Sequence, residues 1–279
     1  DRSVVKASCE SVIIAGVNVP RLNDNIHKED SFCKSDNLIA VSDGAGGCGL
    51  FAREWSKYLI RHIPKKRVIT CFAEFDKWVD GIWEAFYNEH EAVAKAGDGI
   101  FLNKFYNEGS CATVAAAWRV SDSECRWVAY GDSVVFHYNR RSGLLEHSFT
   151  RLADFSRPPM LVSCKDPLVE EGFRCGTFHL DEDSVVFAAS DALSHYVLMM
   201  YELANCGRFG EELAEEALRR SGNSALLRTA ETIRFDFQED VLEPLLKAAE
   251  KESTFKTHVR SLIERGVLDV DDMTVVVLG

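Results

Sequence analysis

Leu38-Ile39-Ala40-Val41-Ser42-Asp43-Gly44-Ala45-Gly46-Gly47 is the stretch on which the fold turns. Leu38 to Val41 is short and aliphatic, the pattern of a buried strand. It stops on an aspartate, and Gly44, Gly46 and Gly47 then let the backbone turn sharply and approach a ligand closely. Leu50 to Ile60 follows with helical spacing, Leu50, Trp55, Tyr58 and Leu59 being apolar. Asp43 is therefore expected at a strand's carboxyl end, on a rigid element facing a cleft. A carboxylate there suits a hard metal ion or acid–base work.

Outward from this stretch, Ser31–Lys34 and Leu38–Val41 read as a hairpin turning at Ser35-Asp36-Asn37, with a strand over Ser11–Val17 before them. Leu50–Ile63 reads as a helix, and Cys71–Lys95 as a longer one broken by Gly97-Asp98-Gly99. Its aromatic residues read as core. Cys111–Val120, Cys125–Tyr130, Val134–Tyr138 and Leu144–Phe149 are strands spaced too closely for helical crossovers, so they predict antiparallel meanders. Thr150–Leu168 is irregular, carries Pro158-Pro159 and reads as a surface loop. Phe173–Leu180 and Val185–Ala189 read as a strand pair. Leu193–Leu203, Glu211–Arg220 and much of Val241–Arg265 read as helices, and Met273–Leu278 closes the chain as a strand. The order predicts a layered α+β domain.

The chain has 279 residues, 46% of them hydrophobic, enough for a sizeable core. Its formal charge of -12, from 44 acidic against 32 basic residues, is the wrong sign for a general nucleic-acid binder. Acidic clusters holding divalent cations fit that balance better. No apolar stretch approaches the ~18 residues that cross a bilayer, so no membrane partner is expected. The nine cysteines (9, 33, 48, 71, 111, 125, 164, 175 and 206) form no Cys-x-x-Cys pair. They read as buried free thiols in a reducing cytoplasm. The chain opens at Asp1 rather than Met, which leaves a removed upstream segment open.

Aspartates recur where strands end. Val186-Phe187-Ala188-Ala189-Ser190-Asp191-Ala192 echoes the opening stretch, and Val128-Ala129-Tyr130-Gly131-Asp132-Ser133 is a third strand ending in one. Glu29-Asp30 and Asp271-Asp272 stand directly before strands. Any one of these aspartates is readily a turn or cap residue. Five matched positions together predict convergence, and carboxylates buried close together need balancing cations. Oxygen ligands point to Mg²⁺ or Mn²⁺.

These residues resemble the metal-dependent serine/threonine protein phosphatases of type 2C, over about Ser11 to Gly279. Glu29-Asp30, Asp43-Gly44-Ala45-Gly46-Gly47, Gly109-Ser110-Cys111-Ala112-Thr113, Gly131-Asp132-Ser133, Ser190-Asp191-Ala192 and Asp271-Asp272-Met273-Thr274-Val275-Val276-Val277 follow the family's motifs in order. The resemblance implies one catalytic domain over 1–279, a four-layer α-β-β-α sandwich of two antiparallel sheets flanked by helices. It implies two Mg²⁺ or Mn²⁺ ions bridged by Asp43, with the Gly44 carbonyl on one and Asp191 and Asp271 on the other. A third metal would sit at Asp132 with Asp191. Glu29 and Asp30 would act near or through metal-bound water, and a bridging water would attack phosphorus in line. The implied partner is a phosphoprotein in the cytoplasm, and Thr150–Leu168 is a candidate flap for choosing it.

Four positions depart from the family. Ala45 stands where many relatives have a histidine, and Ala192 replaces a glycine. His195 occupies a place where some have another acid. Asn25 stands where a substrate-clamping arginine is frequent, with Arg21 or Lys28 as possible substitutes. Three competing readings remain. Asn25 and Ala45 suit a catalytically silent binding module. Gly44-Ala45-Gly46-Gly47-Cys48-Gly49 spells a dinucleotide-binding Gly-x-Gly-x-x-Gly but lacks a βαβ setting. A Ser-His-Asp hydrolase is disfavoured, since no Gly-x-Ser-x-Gly elbow occurs. The eight histidines show no ligand spacing.

Overall fold

The computed structural model describes residues 17–18, 29–219 and 234–279. β2 (Ser31–Ser35) and β3 (Leu38–Ser42) form the expected hairpin, with Ser35 opposite Leu38 across a two-residue turn. β3 also pairs with β6 (Val114–Ser121), which pairs with β7 (Glu124–Tyr130), which pairs with β11 (Phe173–His179). The resulting five-stranded sheet runs β11-β7-β6-β3-β2. A four-stranded sheet runs β14 (Val275–Val277), β12 (Ser184–Ala189), β8 (Val134–Asn139) and β9 (Leu144–His147). Every described strand pair is antiparallel.

Strand alternation assigns the layers. Ile39, Val41, Ala115, Ala117, Val135, Val186, Ala188 and Val276 share one buried cluster between the two sheets. Their neighbours Leu38, Ala40, Val114 and Ala116 face the opposite way, against α1 (Ala52–His62), α2 (Phe72–Asp80), α3 (Trp83–Lys95) and α4 (Gly99–Glu108). On the other sheet, Val134, Phe136, Phe187 and Val275 face α5 (Asp191–Ala204), α6 (Gly210–Arg219), α7 (Glu243–Ala248) and α8 (Glu252–Glu264). Both faces of each sheet are covered, which is why these strands read as unbroken apolar runs. This is the expected α-β-β-α sandwich. Complete burial of a side chain such as Phe136 or Phe187 contributes roughly 1.5–3 kcal/mol.

Several local expectations need correction. The glycine-rich segment is not a turn: β4 (Gly44–Gly49) is extended and pairs with β5 (Ser110–Ala112) across an irregular register. Gly49 adopts φ +96°, and a Cβ there would sit 2.2 Å from the Gly109 carbonyl oxygen, so the close approach requires glycine. Cys111–Val120 is two strands in different sheets, divided at Thr113. Phe173–Leu180 and Val185–Ala189 do not pair with each other, since β11 joins β7 while β12 lies between β8 and β14. Cys71–Lys95 is two helices, α2 ending at Gly81, and α4 continues after the Gly97-Asp98-Gly99 break. The Asp98 carboxylate caps α4, accepting from the Phe101 N–H at 2.7 Å.

Thr150–Leu168 is not a free surface loop. Leu152, Ala153, Val162 and Cys164 are buried, and β10 (Val162–Ser163) pairs with β5. The cysteines are also less buried than expected: Cys48, Cys71, Cys175 and Cys206 are exposed, while Cys111, Cys125 and Cys164 are buried. Cys175 sits on edge strand β11, where Thr177 and His179 are exposed at alternate positions. Of the Ser11–Val17 strand, only β1 (Val17–Asn18) falls among the described residues, opposite β13 (Asp272–Met273). The rest of that strand and Cys9 lie outside them. No described helix is long and apolar enough to cross a membrane.

Candidate metal centre

The strand ends meet at one edge of the sandwich. A cavity of about 360 Å³ there is lined by Glu29, Asp43, Gly44, Asp132, Asp191, Asp271 and Asp272, with Ala45 to Cys48, Thr113, Pro159 and Leu161 completing the wall. These acids come from the front of β2, the β3–β4 junction, the β7–β8 turn, the start of α5 and the approach to β13. No lysine, arginine or histidine lines the cavity among the described residues.

Asp43 sits between two paired strands and is held from both sides. Its N–H donates to the Thr113 hydroxyl at 3.0 Å, and its carbonyl accepts from the Thr113 N–H at 2.8 Å. Thr113 Oγ1 lies 2.6 Å from Ser133 Oγ, one residue after Asp132. One threonine thus ties two cavity aspartates together. Gly44 is wedged against the start of α1, where an added Cβ would stand 2.7 Å from the Ala52 carbonyl oxygen. That space admits only hydrogen.

Asp191 opens α5 at the helix's positive end, its Oδ1 accepting from the Ala192 N–H at 2.5 Å. Ser190 before it accepts from the Thr274 N–H at 3.0 Å, fixing the start of α5 to the last strand. Asp272 Oδ2 accepts from the Glu29 N–H at 2.6 Å, and Glu29 Oε2 accepts from the Gly46 N–H at 3.0 Å. Asp30 is set behind the cavity wall: its Oδ2 accepts from the Thr274 hydroxyl at 2.7 Å, while Oδ1 is buried with no hydrogen-bond partner. Behind Asp132, Arg174 donates from Nε to the Ser148 carbonyl at 2.8 Å and from Nη2 to the Gly131 carbonyl.

Electrostatics mark the region as short of positive charge. Burial, then the charges of Asp30, Asp191 and Asp271, hold the Asp43 carboxyl well above the usual carboxylate range. Asp191 is raised likewise by burial and by Asp132, Asp271 and Asp30. Burial pushes Asp30 and Asp132 up to about 6 each, and raises Glu29 as well. No group of three or more His, Cys, Asp or Glu among the described residues is arranged to hold an ion as the side chains stand. In donor chemistry the set fits a hard cation: the acids are all oxygen donors, and they are destabilised by burial and by each other.

No protein-family model matches the chain, and no curated protein matches it in sequence. Among solved structures, the catalytic domain of the serine/threonine protein phosphatase PstP in complex with two manganese ions matches over 94% of each chain, with 18% identity and a TM-score of 0.51. Serine/threonine phosphatase Stp1 from Staphylococcus aureus matches over 94% of this chain and 92% of its own, at 12% identity and a TM-score of 0.52. This is the fold of the type 2C phosphatases. PppA of Pseudomonas aeruginosa, described as a regulatory component of its type VI secretion system, shares it at 13% identity, with 96% and 98% coverage and a TM-score of 0.50.

Measured against that fold, Glu29, Asp43, Gly44, Asp132, Asp191 and Asp271 stand together on the cavity wall. Asn25, with Arg21 and Lys28, lies outside the described residues. His195 is turned away from the cavity: it is buried in the α5–α6 interface, with Nε2 2.6 Å from Glu216 Oε1. Sequence reasoning gave no role to Thr113, Ser133 or Thr274, which hold the aspartates. All three lie within or beside the quoted motifs, but only through-space pairing reveals their function.

Proposed function

We propose that the chain is a single metal-dependent phosphatase domain over 1–279 that hydrolyses phosphoserine and phosphothreonine in proteins. The observation that carries this reading is the cavity itself: six acidic residues from five distant segments line it, with no described cation facing them. An anionic phosphoryl group could enter such a wall only with metal ions present. Asp43, the Gly44 carbonyl, Asp191 and Asp271 would hold two Mg²⁺ or Mn²⁺ ions, and Asp132 with Asp191 a third. Bound, such ions supply charge neutralisation for the phosphoryl oxygens and lower the pKa of water.

The chain's own groups do the rest. Thr113 fixes the Asp43 main chain through two hydrogen bonds, which holds the residue at the cavity wall. Glu29, whose Oε2 accepts from the Gly46 N–H, and Asp30, held by the Thr274 hydroxyl, would act on water beside the ions. With alanine at position 45, the leaving group takes its proton from solvent. Asn25 would contact the substrate phosphate. Pro159 and Leu161 border the cavity, so the Thr150–Leu168 segment would select among phosphopeptides.

Manganese-dependent hydrolysis of p-nitrophenyl phosphate and of a phosphothreonine peptide, compared between wild type and Asp43→Ala, tests the proposal. Turnover confined to wild type supports it, and equal rates refute it. A second reading, a silent member that binds a partner, is favoured by Asn25 and Ala45. It predicts no turnover at any manganese concentration.

A further inference from the structure

The glycine-rich strand carries a feature that phosphate hydrolysis does not use. Cys48 lies on β4, is exposed and lines the cavity. Its Sγ is 3.6 Å from Sγ of Cys111, a buried thiol on β5. The two strands pair antiparallel with Gly49 opposite Ser110, which places Cys48 and Cys111 on adjoining positions of the same ladder. Residues facing each other in such a ladder have Cα atoms ~4.5–5.5 Å apart, within the ~4.4–6.8 Å span of a disulfide.

We propose that Cys48 and Cys111 are an oxidation site for hydroperoxides, forming a reversible cross-strand disulfide that turns down the chemistry of the adjacent cavity. The cavity's chemistry is that of the phosphatase reading, and only this second clause rests on it. In the first step the exposed Cys48 thiolate attacks a peroxide oxygen; the O–O bond breaks, and Cys48 becomes a sulfenic acid as hydroxide leaves. In the second, the Cys111 sulfur attacks the Cys48 sulfur. The S–O bond breaks, and the Cys111 proton leaves with the departing hydroxide as water. In sum, two thiols and one peroxide give one disulfide and two waters.

The surroundings favour this order. Burial pushes the Cys111 thiol up to about 12, with the neighbouring Cys48 adding to the rise, so Cys111 is not the first to react. Cys164 does not compete on equal terms: it is buried, and its Sγ accepts from the Ser110 N–H at 3.2 Å.

Bond formation would draw the sulfurs from 3.6 Å to ~2.05 Å, a movement of about 1.5 Å. The Gly49 end cannot yield, since Gly49 packs on Gly109 and its N–H donates to Glu108 Oε2 at 2.9 Å. Whatever part of that movement side-chain rotation does not absorb passes into the irregular stretch between Gly44 and Gly49. That stretch holds the Gly46 N–H that sets Glu29, and it begins at the Gly44 carbonyl. On the other strand, β5 leads directly into Thr113, which grips Asp43.

Full-length reduced protein exposed to dilute hydrogen peroxide, then alkylated, digested and mapped by mass spectrometry, tests the chemistry. The expected product is a Cys48–Cys111 linked peptide that dithiothreitol removes. In Cys111→Ala the link is absent and a dimedone adduct accumulates on Cys48; Cys111→Ser gives the same readout should the alanine variant fold poorly. Hydrolysis of p-nitrophenyl phosphate is expected to fall about tenfold on oxidation and to return on reduction. Both cysteines remaining alkylatable, or a dominant link through Cys164 or between Cys71 and Cys175, overturns the site. A complete Cys48–Cys111 link with unchanged turnover overturns its effect on the cavity. A reduced protein with no turnover fails the phosphatase reading instead, and the peptide map still decides the disulfide.

Discussion

Thr113→Val replaces a hydroxyl by a methyl of nearly the same shape, at a position only 3% exposed. In the wild type, Thr113 Oγ1 accepts from the Asp43 N–H at 3.0 Å and lies 2.6 Å from Ser133 Oγ. The valine leaves the Asp43 N–H and the fully buried Ser133 hydroxyl without those partners. Each such group costs about 1–3 kcal/mol, so the variant should lose roughly 2–4 kcal/mol, allowing for partial access of water to Asp43. Ser133→Ala alone leaves Thr113 bonded to Asp43 and should lose only about 0.5–1.5 kcal/mol. In the double variant the stranded Ser133 hydroxyl is gone, so its loss should fall short of the two single losses added, by about 1 kcal/mol. Equilibrium urea unfolding of the four proteins gives these differences as midpoint shifts at unchanged slope. Thr113→Val should also bind Mn²⁺ more weakly, because Asp43 loses one of its two hydrogen bonds to residue 113. A Thr113→Val midpoint within experimental error of wild type would refute the claim that this threonine holds the candidate centre.

Gly44→Ala should destabilise the fold by about 1–3 kcal/mol, since its Cβ meets the Ala52 and Glu29 backbones at 2.7–3.0 Å. Gly47→Ala, with nothing within 4 Å, should be close to neutral, and thermal unfolding of the pair checks the contrast. Glu202, buried in α5 near Glu212 and Glu216, is pushed up to about 8, mainly by burial. The folded state therefore holds a proton that the unfolded state releases near pH 4.5, so wild-type stability falls as pH rises from about 4.5 to 8. Glu202→Gln should flatten that slope, as read from Tm against pH; parallel profiles for the two proteins would contradict it.

Much of this was legible in the chain itself. The Leu38–Asp43 run, its echo at Val186–Asp191 and the Gly131-Asp132 turn announced strands ending in carboxylates, and those carboxylates do share a wall. Pairing partners were less legible. Phe173–His179 and Ser184–Ala189 are neighbours in sequence, separated by a short turn, and looked like a hairpin. Yet each completes a different sheet, because β7 and β8 offer them separate edges. The extended form of Gly44–Gly49 was hidden for a related reason: glycine carries little strand propensity, and β5, far along the chain, supplies the pairing. The Asp30 carboxyl is buried beside Asp43, where it accepts from the Thr274 hydroxyl, a contact that no motif spelled out. The partner of His195, Glu216 from the next helix, was not legible in the sequence either.

The central claim, that acids from distant segments share divalent ions, is tested most directly by anomalous scattering from a crystal of the protein soaked in Mn²⁺. The account predicts two manganese peaks inside the cavity, bridged by Asp43 and reached by Asp191, Asp271 and the Gly44 carbonyl, and none in the cavity of Asp43→Ala. A fully soaked wild-type crystal with no peak in that cavity would contradict it.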